Sequence, residues 1–161
     1  MKNLQTLLGV LLNGNVDFVI VGGFAAVIHG SSQVTQDLDI CVSLNPKEIE
    51  KLRRLLEPFH PVHRMTPRRL PFNLFPGDIE NVKNIYLSTD LGPLDILGEI
   101  TGISGGFSQL KNNAVWINAF NLKLPVISRE DLLIAKTTLG RPKDLFVAEE
   151  LRLLIAADKK K

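Results

Sequence analysis

Asp37 and Asp39 stand one residue apart in the run Thr35-Gln36-Asp37-Leu38-Asp39-Ile40-Cys41-Val42, whose apolar members favour a buried strand. Alternate side chains of a strand share a face, so the two carboxylates would project together while Leu38 and Ile40 turn into the core. Like charges held in this way repel, raising one pKa and weakening the strand unless a cation lies between them. Hard oxygen donors suit Mg²⁺ far better than a thiophilic metal. A third carboxylate, Asp95, interrupts the apolar run Leu94-Asp95-Ile96-Leu97, where an unpaired charge is costly. Sharing an ion with Asp37 and Asp39 would answer that need, as would pairing with an arginine.

Cations gather elsewhere in the chain. Lys136 falls near the buried stripe of a helix that also carries Leu132 and Leu139, and the segment Lys136-Thr-Thr-Leu-Gly-Arg141-Pro-Lys143-Asp144 crowds Lys136, Arg141 and Lys143 around one helix junction. Three positive charges there could meet a triphosphate together. The plainer reading of Lys136 is a methylene stem on the core with its ammonium in water. Asp144 has an ordinary explanation as an acid in the first turn of the last helix. Five arginines against one glutamate between Arg53 and Arg69 give that stretch a local charge of +4, which could guide an anionic acceptor or simply be a solvated surface.

The elements that must position these groups follow from periodicity. Leu4, Leu7, Leu8, Leu11 and Leu12 predict an amphipathic helix stopped by Gly14, and Phe18 to Val21 predict a strand. Gly22 and Gly23 then allow a sharp turn into a short helix, Phe24 to His29, closed by Gly30 to Ser32. A second strand spans Leu38 to Leu44. Asn45-Pro46 opens a helix buried through Ile49, Leu52, Leu56 and Phe59. His60 to Pro76, with four prolines, reads as a long connection carrying one short strand near Pro71 to Phe75. Strands are expected at Asn84 to Thr89, Pro93 to Leu97, Ala114 to Ile117 and Leu122 to Ile127. Thr101 to Gly106 reads as a flexible turn. Ser128 caps a helix ended by Gly140, and Arg141-Pro142 starts the last helix, with Asp158 to Lys161 as a frayed tail.

Composition sets the class. The chain has 161 residues, 45% hydrophobic and 22% charged, which fits one domain over residues 1–161. A net charge of +2 is too small for a dedicated nucleic-acid binder. The single cysteine, Cys41, cannot form an internal disulfide and reads as a small core residue, which fits a reducing cytoplasm. His29, His60 and His63 could join Cys41 at zinc only against Pro61, which breaks the helical spacing, and without a second thiol. No segment reaches the ~20 apolar residues of a membrane span, so a soluble cytoplasmic protein without a membrane partner is expected.

Taken in order, Gly22-Gly23, Thr35-x-Asp37-x-Asp39, Asp95 and the Lys136–Asp144 segment resemble the nucleotidyltransferase superfamily that includes DNA polymerase β. More narrowly, they are similar to small bacterial nucleotidyltransferases related to abortive-infection toxins. Gln33 and Gln36 stand where such relatives often place a basic residue. The resemblance implies an α/β (α+β) fold, a mixed β-sheet flanked by helices. It implies a nucleoside triphosphate bound at the start of the Gly22-Gly23 helix, with hydroxyl contacts from Ser31, Ser32 or Thr35. It further implies Mg²⁺ on Asp37 and Asp39, with Asp95 holding a second metal or deprotonating the incoming hydroxyl. A nucleoside monophosphate would pass to a hydroxyl on tRNA, a protein or a small molecule such as an aminoglycoside, with pyrophosphate leaving. A neutralising antitoxin is a conceivable partner, and a non-catalytic nucleotide-binding or protein-interaction module of the same fold is the alternative.

Overall fold

Four residues buried on both faces, Phe18–Val21, form strand β1 near the middle of a seven-stranded mixed sheet. The computed structural model describes residues 2–73 and 81–160. Around β1 the strand order is β3-β4-β5-β2-β1-β7-β6, with β2 Leu38–Val42, β3 Val62–His63, β4 Asn84–Thr89, β5 Gly92–Leu97, β6 Val115–Ala119 and β7 Leu122–Val126. β2 runs antiparallel to β1 and parallel to β5, while β1 runs parallel to β7. The remaining neighbours are antiparallel pairs. The helices are α1 Lys2–Asn13, α2 Gly22–His29, α3 Pro46–Leu56, α4 Gly106–Asn113, α5 Arg129–Leu139 and α6 Pro142–Lys159. This is the α/β arrangement, a mixed sheet with helices packed on it, that the resemblance implies. No helix among the described residues is long and apolar enough to cross a membrane.

Local chemistry explains most of the boundaries. Asn45 Oδ1 accepts the Glu48 amide at 2.9 Å and Ser128 Oγ accepts the Asp131 amide at 3.0 Å, so both helices start on side-chain caps. Gly30 takes the left-handed conformation that ends α2, with its own amide on Val27 O and the Ser31 amide on Ala26 O. The β6–β7 hairpin turns on Phe120 and Asn121, both at positive φ, and the Phe120 ring stacks on Phe24 at 5.7 Å.

One apolar cluster unites the sheet with the helices. Along β4, β5 and β2, Ile85, Leu87, Leu94, Ile96, Leu38 and Ile40 are buried, and Leu7, Leu8, Leu11, Ile49, Leu52 and Leu56 of α1 and α3 join them. Cys41 is fully buried in β2, and burial, with Glu99 adding to it, pushes its thiol up to about 12. Helix α1 meets α3, and α2 packs with α5 and α6. His29 at the end of α2 is buried, with Nε2 donating to Ile127 O at 2.6 Å; burial lowers its pKa, so a neutral ring ties α2 to the β7 end.

Several expectations need correction. β2 starts at Leu38, so Thr35 and Asp37 belong to the preceding loop rather than to a strand. The connection after α3 holds β3 at Val62–His63, with Pro71 making only an isolated bridge to Val62; Leu74 and Phe75 of the expected strand lie outside the described residues. Phe59 ends a 3₁₀ turn and is only half-buried. Helix α4 had no counterpart in the sequence reading, and α6 runs on through Lys159 where a frayed tail was expected.

Candidate active site

Registry brings the two strand carboxylates together. Asp39 on β2 pairs laterally with Asp95 on β5, and on its other side with Val21 at the end of β1. Their face of β4 and β5, with Tyr86 opposite Asp95, is left partly open, while the alternating residues are buried. The Asp39 and Asp95 side chains are within hydrogen-bonding reach of one another. Burial raises the Asp39 pKa to about 7, with the charge and hydrogen bond of Asp95 and then the charge of Asp37 adding to it, and Lys136 opposing. Asp37 is exposed on the loop just before β2, its amide directed at Thr35 Oγ1 3.4 Å away.

Gly22 forms the floor beneath Asp39. It has φ +69°, and a Cβ there would lie 2.1 Å from Asp39 Oδ2, so only glycine lets this carboxylate sit against the start of α2. Beside it, a Cβ on Gly23 would come 3.2 Å from Gln33 Nε2 and 3.5 Å from Thr35 Cβ, because the loop before β2 folds back over the helix start. Gln33 thus lies over the start of α2 with its side-chain amide close to Gly23. Ser31 and Ser32 turn the other way: Ser31 Oγ donates to Glu150 Oε1 at 2.6 Å and the Ser32 amide to Glu150 Oε2 at 3.0 Å. Their polar groups anchor the loop to α6, beside a carboxylate that would repel phosphate.

Cations line the opposite wall. A cleft of about 250 Å³ includes Gly22, Asp39, Tyr86, Glu99, Lys136 and Arg141 on its surface. Lys136 is only 7% exposed, and its Nζ lies 3.4 Å from Oδ1 of Asp144, which is fully buried. Arg141 adds Nε to Asp144 Oδ2 at 2.6 Å and Nη2 to Oδ1 at 3.2 Å. Burial alone would raise the Asp144 pKa, but Arg141 and Lys136 outweigh it and the carboxyl is held below its ordinary value. A buried anion therefore fixes two cations at the cleft while Lys143 stays exposed outside it. The pairing of Asp144 with Lys136 and Arg141 was missed in the sequence because a first-turn acid needs no special partner; the signal available was its spacing of three from Arg141.

Other arginines are engaged. Arg53 and Arg54 both pair with Glu50 on α3, next to a larger cleft of about 560 Å³ that contains none of the aspartates or glycines above. Arg64 reaches Asp95, with Nη2 at 2.5 Å from Oδ1. Asp95 thus has Asp39 as an acidic neighbour and Arg64 as a cationic partner, the second being the arginine pairing that was one of its two expectations. With the side chains as they stand, no group of three or more His, Cys, Asp or Glu among the described residues is arranged to hold a metal ion. The chemistry of the donors nevertheless fits a hard divalent cation: paired oxygens that repel, a glycine cradle keeping one of them in place, and no sulfur or imidazole among them.

The mixed sheet with its flanking helices is an arrangement shared with solved structures. The chain has the nucleotidyltransferase fold. No family model matches it, and no curated protein matches it in sequence. Among solved structures it is similar to LnuA, a lincosamide antibiotic adenylyltransferase seen with lincomycin bound, at TM-score 0.64 and 19% identity over 95% of this chain and 96% of that one. A Thermotoga maritima protein described as a nucleotidyltransferase aligns at TM-score 0.60 and 19% identity, over 97% of this chain and 92% of its own. ANT(2″)-Ia in complex with adenylyl-2″-tobramycin aligns at 0.56 and 12%, over 99% and 96%.

Proposed function

We propose that this chain is a Mg²⁺-dependent nucleotidyltransferase that moves a nucleoside monophosphate from an NTP, ATP in the first instance, to a hydroxyl of a small-molecule acceptor. The observation that carries the reading is the register of Asp39 against Asp95, directly over Gly22 and across one cleft from Lys136 and Arg141. Free amides at the start of α2 and the positive end of its dipole receive the phosphates, with glycine allowing close approach. Lys136 and Arg141 balance charge on the departing pyrophosphate, Lys143 adds positive potential from outside the cleft, and Thr35 lies at the loop edge. Asp37, Asp39 and Asp95 would hold Mg²⁺, which when bound screens the triphosphate charge and acidifies the acceptor hydroxyl. Asp95 takes the proton of that hydroxyl as its oxygen bonds to the α-phosphorus in line with the bridging oxygen that leaves.

Of the acceptor classes the resemblance implies, a small molecule is favoured because the fold neighbours include a lincosamide adenylyltransferase and an enzyme bound to adenylyl-tobramycin. That reading needs no neutralising antitoxin. The test is incubation of the purified chain with each α-labelled NTP, Mg²⁺ and panels of aminoglycosides, lincosamides, tRNA and cell extract, beside Asp39→Ala. Labelled acceptor that disappears in the variant supports transfer. Equal labelling by both proteins rejects it, and NTP-induced thermal stabilisation without divalent metal would leave a binding module instead.

A further inference from the structure

Arg64 stands just after β3, on the edge of the sheet, yet its charge is delivered two strands inward. Its main-chain amide donates to Tyr86 O at 2.8 Å and its Nη1 to Leu87 O at 2.8 Å, both on β4. Nη2 then passes to Asp95 Oδ1 on β5, and the guanidinium carbon lies 5.9 Å from the Tyr86 ring centre. Side chains of Arg64 and Asp95 are 25% and 18% exposed, so solvent screens the pair only in part. Anchoring by a carbonyl and an aromatic face separates this contact from an ordinary surface ion pair, whose two long side chains wander. It also answers an electrostatic need, since Asp95 abuts Asp39 with Asp37 nearby.

We propose that Arg64 is a built-in counter-cation for Asp95 that divalent metal must displace or share, so that Arg64 sets the metal concentration at which the acidic pair becomes loaded. The inference rests on the reading of Asp39 and Asp95 as metal-holding carboxylates. Between turnovers the guanidinium keeps Asp95 oriented and limits repulsion from Asp39. When a divalent cation arrives, a second positive charge beside the same carboxylate opposes it, and removal of Arg64 therefore strengthens metal binding at the expense of the order it provides. Arg64 is a positioning residue in this scheme, acting through Asp95 and not on nucleotide or acceptor.

The probe is Mn²⁺ alone, followed by electron paramagnetic resonance on the full chain without nucleotide. Arg64→Gln is expected to lower the Mn²⁺ Kd about tenfold, and Arg64→Lys, which retains the charge, to stay within about twofold of wild type. Asp39→Asn should abolish binding in either background. An unchanged or weaker Kd in folded Arg64→Gln, with wild-type binding still dependent on Asp39, overturns the role of Arg64 while leaving the nucleotidyltransferase reading intact. Tightening that survives Asp39→Asn places the ion elsewhere and also overturns it. Mn²⁺ binding by neither wild type nor Arg64→Gln removes both readings. Should Arg64→Gln fail to fold, the wild-type protein still decides: Mg²⁺ titration watched through the ¹⁵N guanidinium resonances is expected to free the restrained Arg64 group, and resonances that do not respond overturn the proposal.

Discussion

Asp39 carries a conflict that pH can expose. Its folded pKa of about 7 lies above the 3.8 of an unperturbed aspartate, because burial and the neighbouring acids disfavour its charge. Between those values the folded chain holds a proton that the unfolded chain has released, so stability falls as pH rises from about 4 to 7 and levels off above. Metal-free wild type should therefore lose on the order of 5 °C of melting temperature relative to Asp39→Asn between pH 5 and 8. Mg²⁺ should restore much of that loss at pH 8; parallel melting curves for the two proteins would contradict the assignment. Asp39 and Asp95 stood out in the sequence because carboxylates inside apolar strands violate an ordinary packing rule, although the strand pair read there was Asp37 with Asp39 and the fold leaves Asp37 on a loop. Arg64 and Asp144 were not, since an arginine in a proline-rich connection and an acid in a first helical turn break none. Only tertiary contacts, across β4 for one and between α5 and α6 for the other, give them work.

At the scale of elements, the loop before β2 is held from a distance. Glu150 on α6 receives both the Ser31 hydroxyl and the Ser32 amide, and these hydrogen bonds lower its pKa. That loop carries Gln33 and Thr35 over Gly23 and ends at Asp37, so α6 indirectly sets the shape of the corner proposed to take phosphate. Glu150→Ala should weaken nucleotide binding about tenfold while leaving far-ultraviolet circular dichroism unchanged. Calorimetric titration with ATP and Mg²⁺ measures it, and an unaltered affinity would mean the anchor does not matter to the site. Strands β1, β4 and β5 and the capped helices were readable from local pattern. Helix α4 was not: within Gly106-Phe-Ser-Gln-Leu110, only Phe107 and Leu110 are buried, and two apolar positions are too few to reveal a helical period. β3 escaped for a similar reason, being two residues long and paired with β4 from more than twenty residues away.

For the whole molecule, sheet order matters more than any one element. β2 joins β1 on one side and β5 on the other, and β5 arrives only after a long excursion through α3, β3 and β4. Parallel pairs of this kind close late because distant segments must meet before any contact rewards them. The lone thiol sits in that very strand, sealed from water and reluctant to ionise. Nature has in effect placed a tamper seal at the seam. A disulfide reagent at pH 8 should modify native protein at least about a thousandfold more slowly than the urea-denatured chain, with the rate reporting how often the seam parts. Rapid modification without denaturant would mean that β2 comes away while the rest stays folded, and Asp39, which it carries, could then never be held in a lasting arrangement beside Asp95.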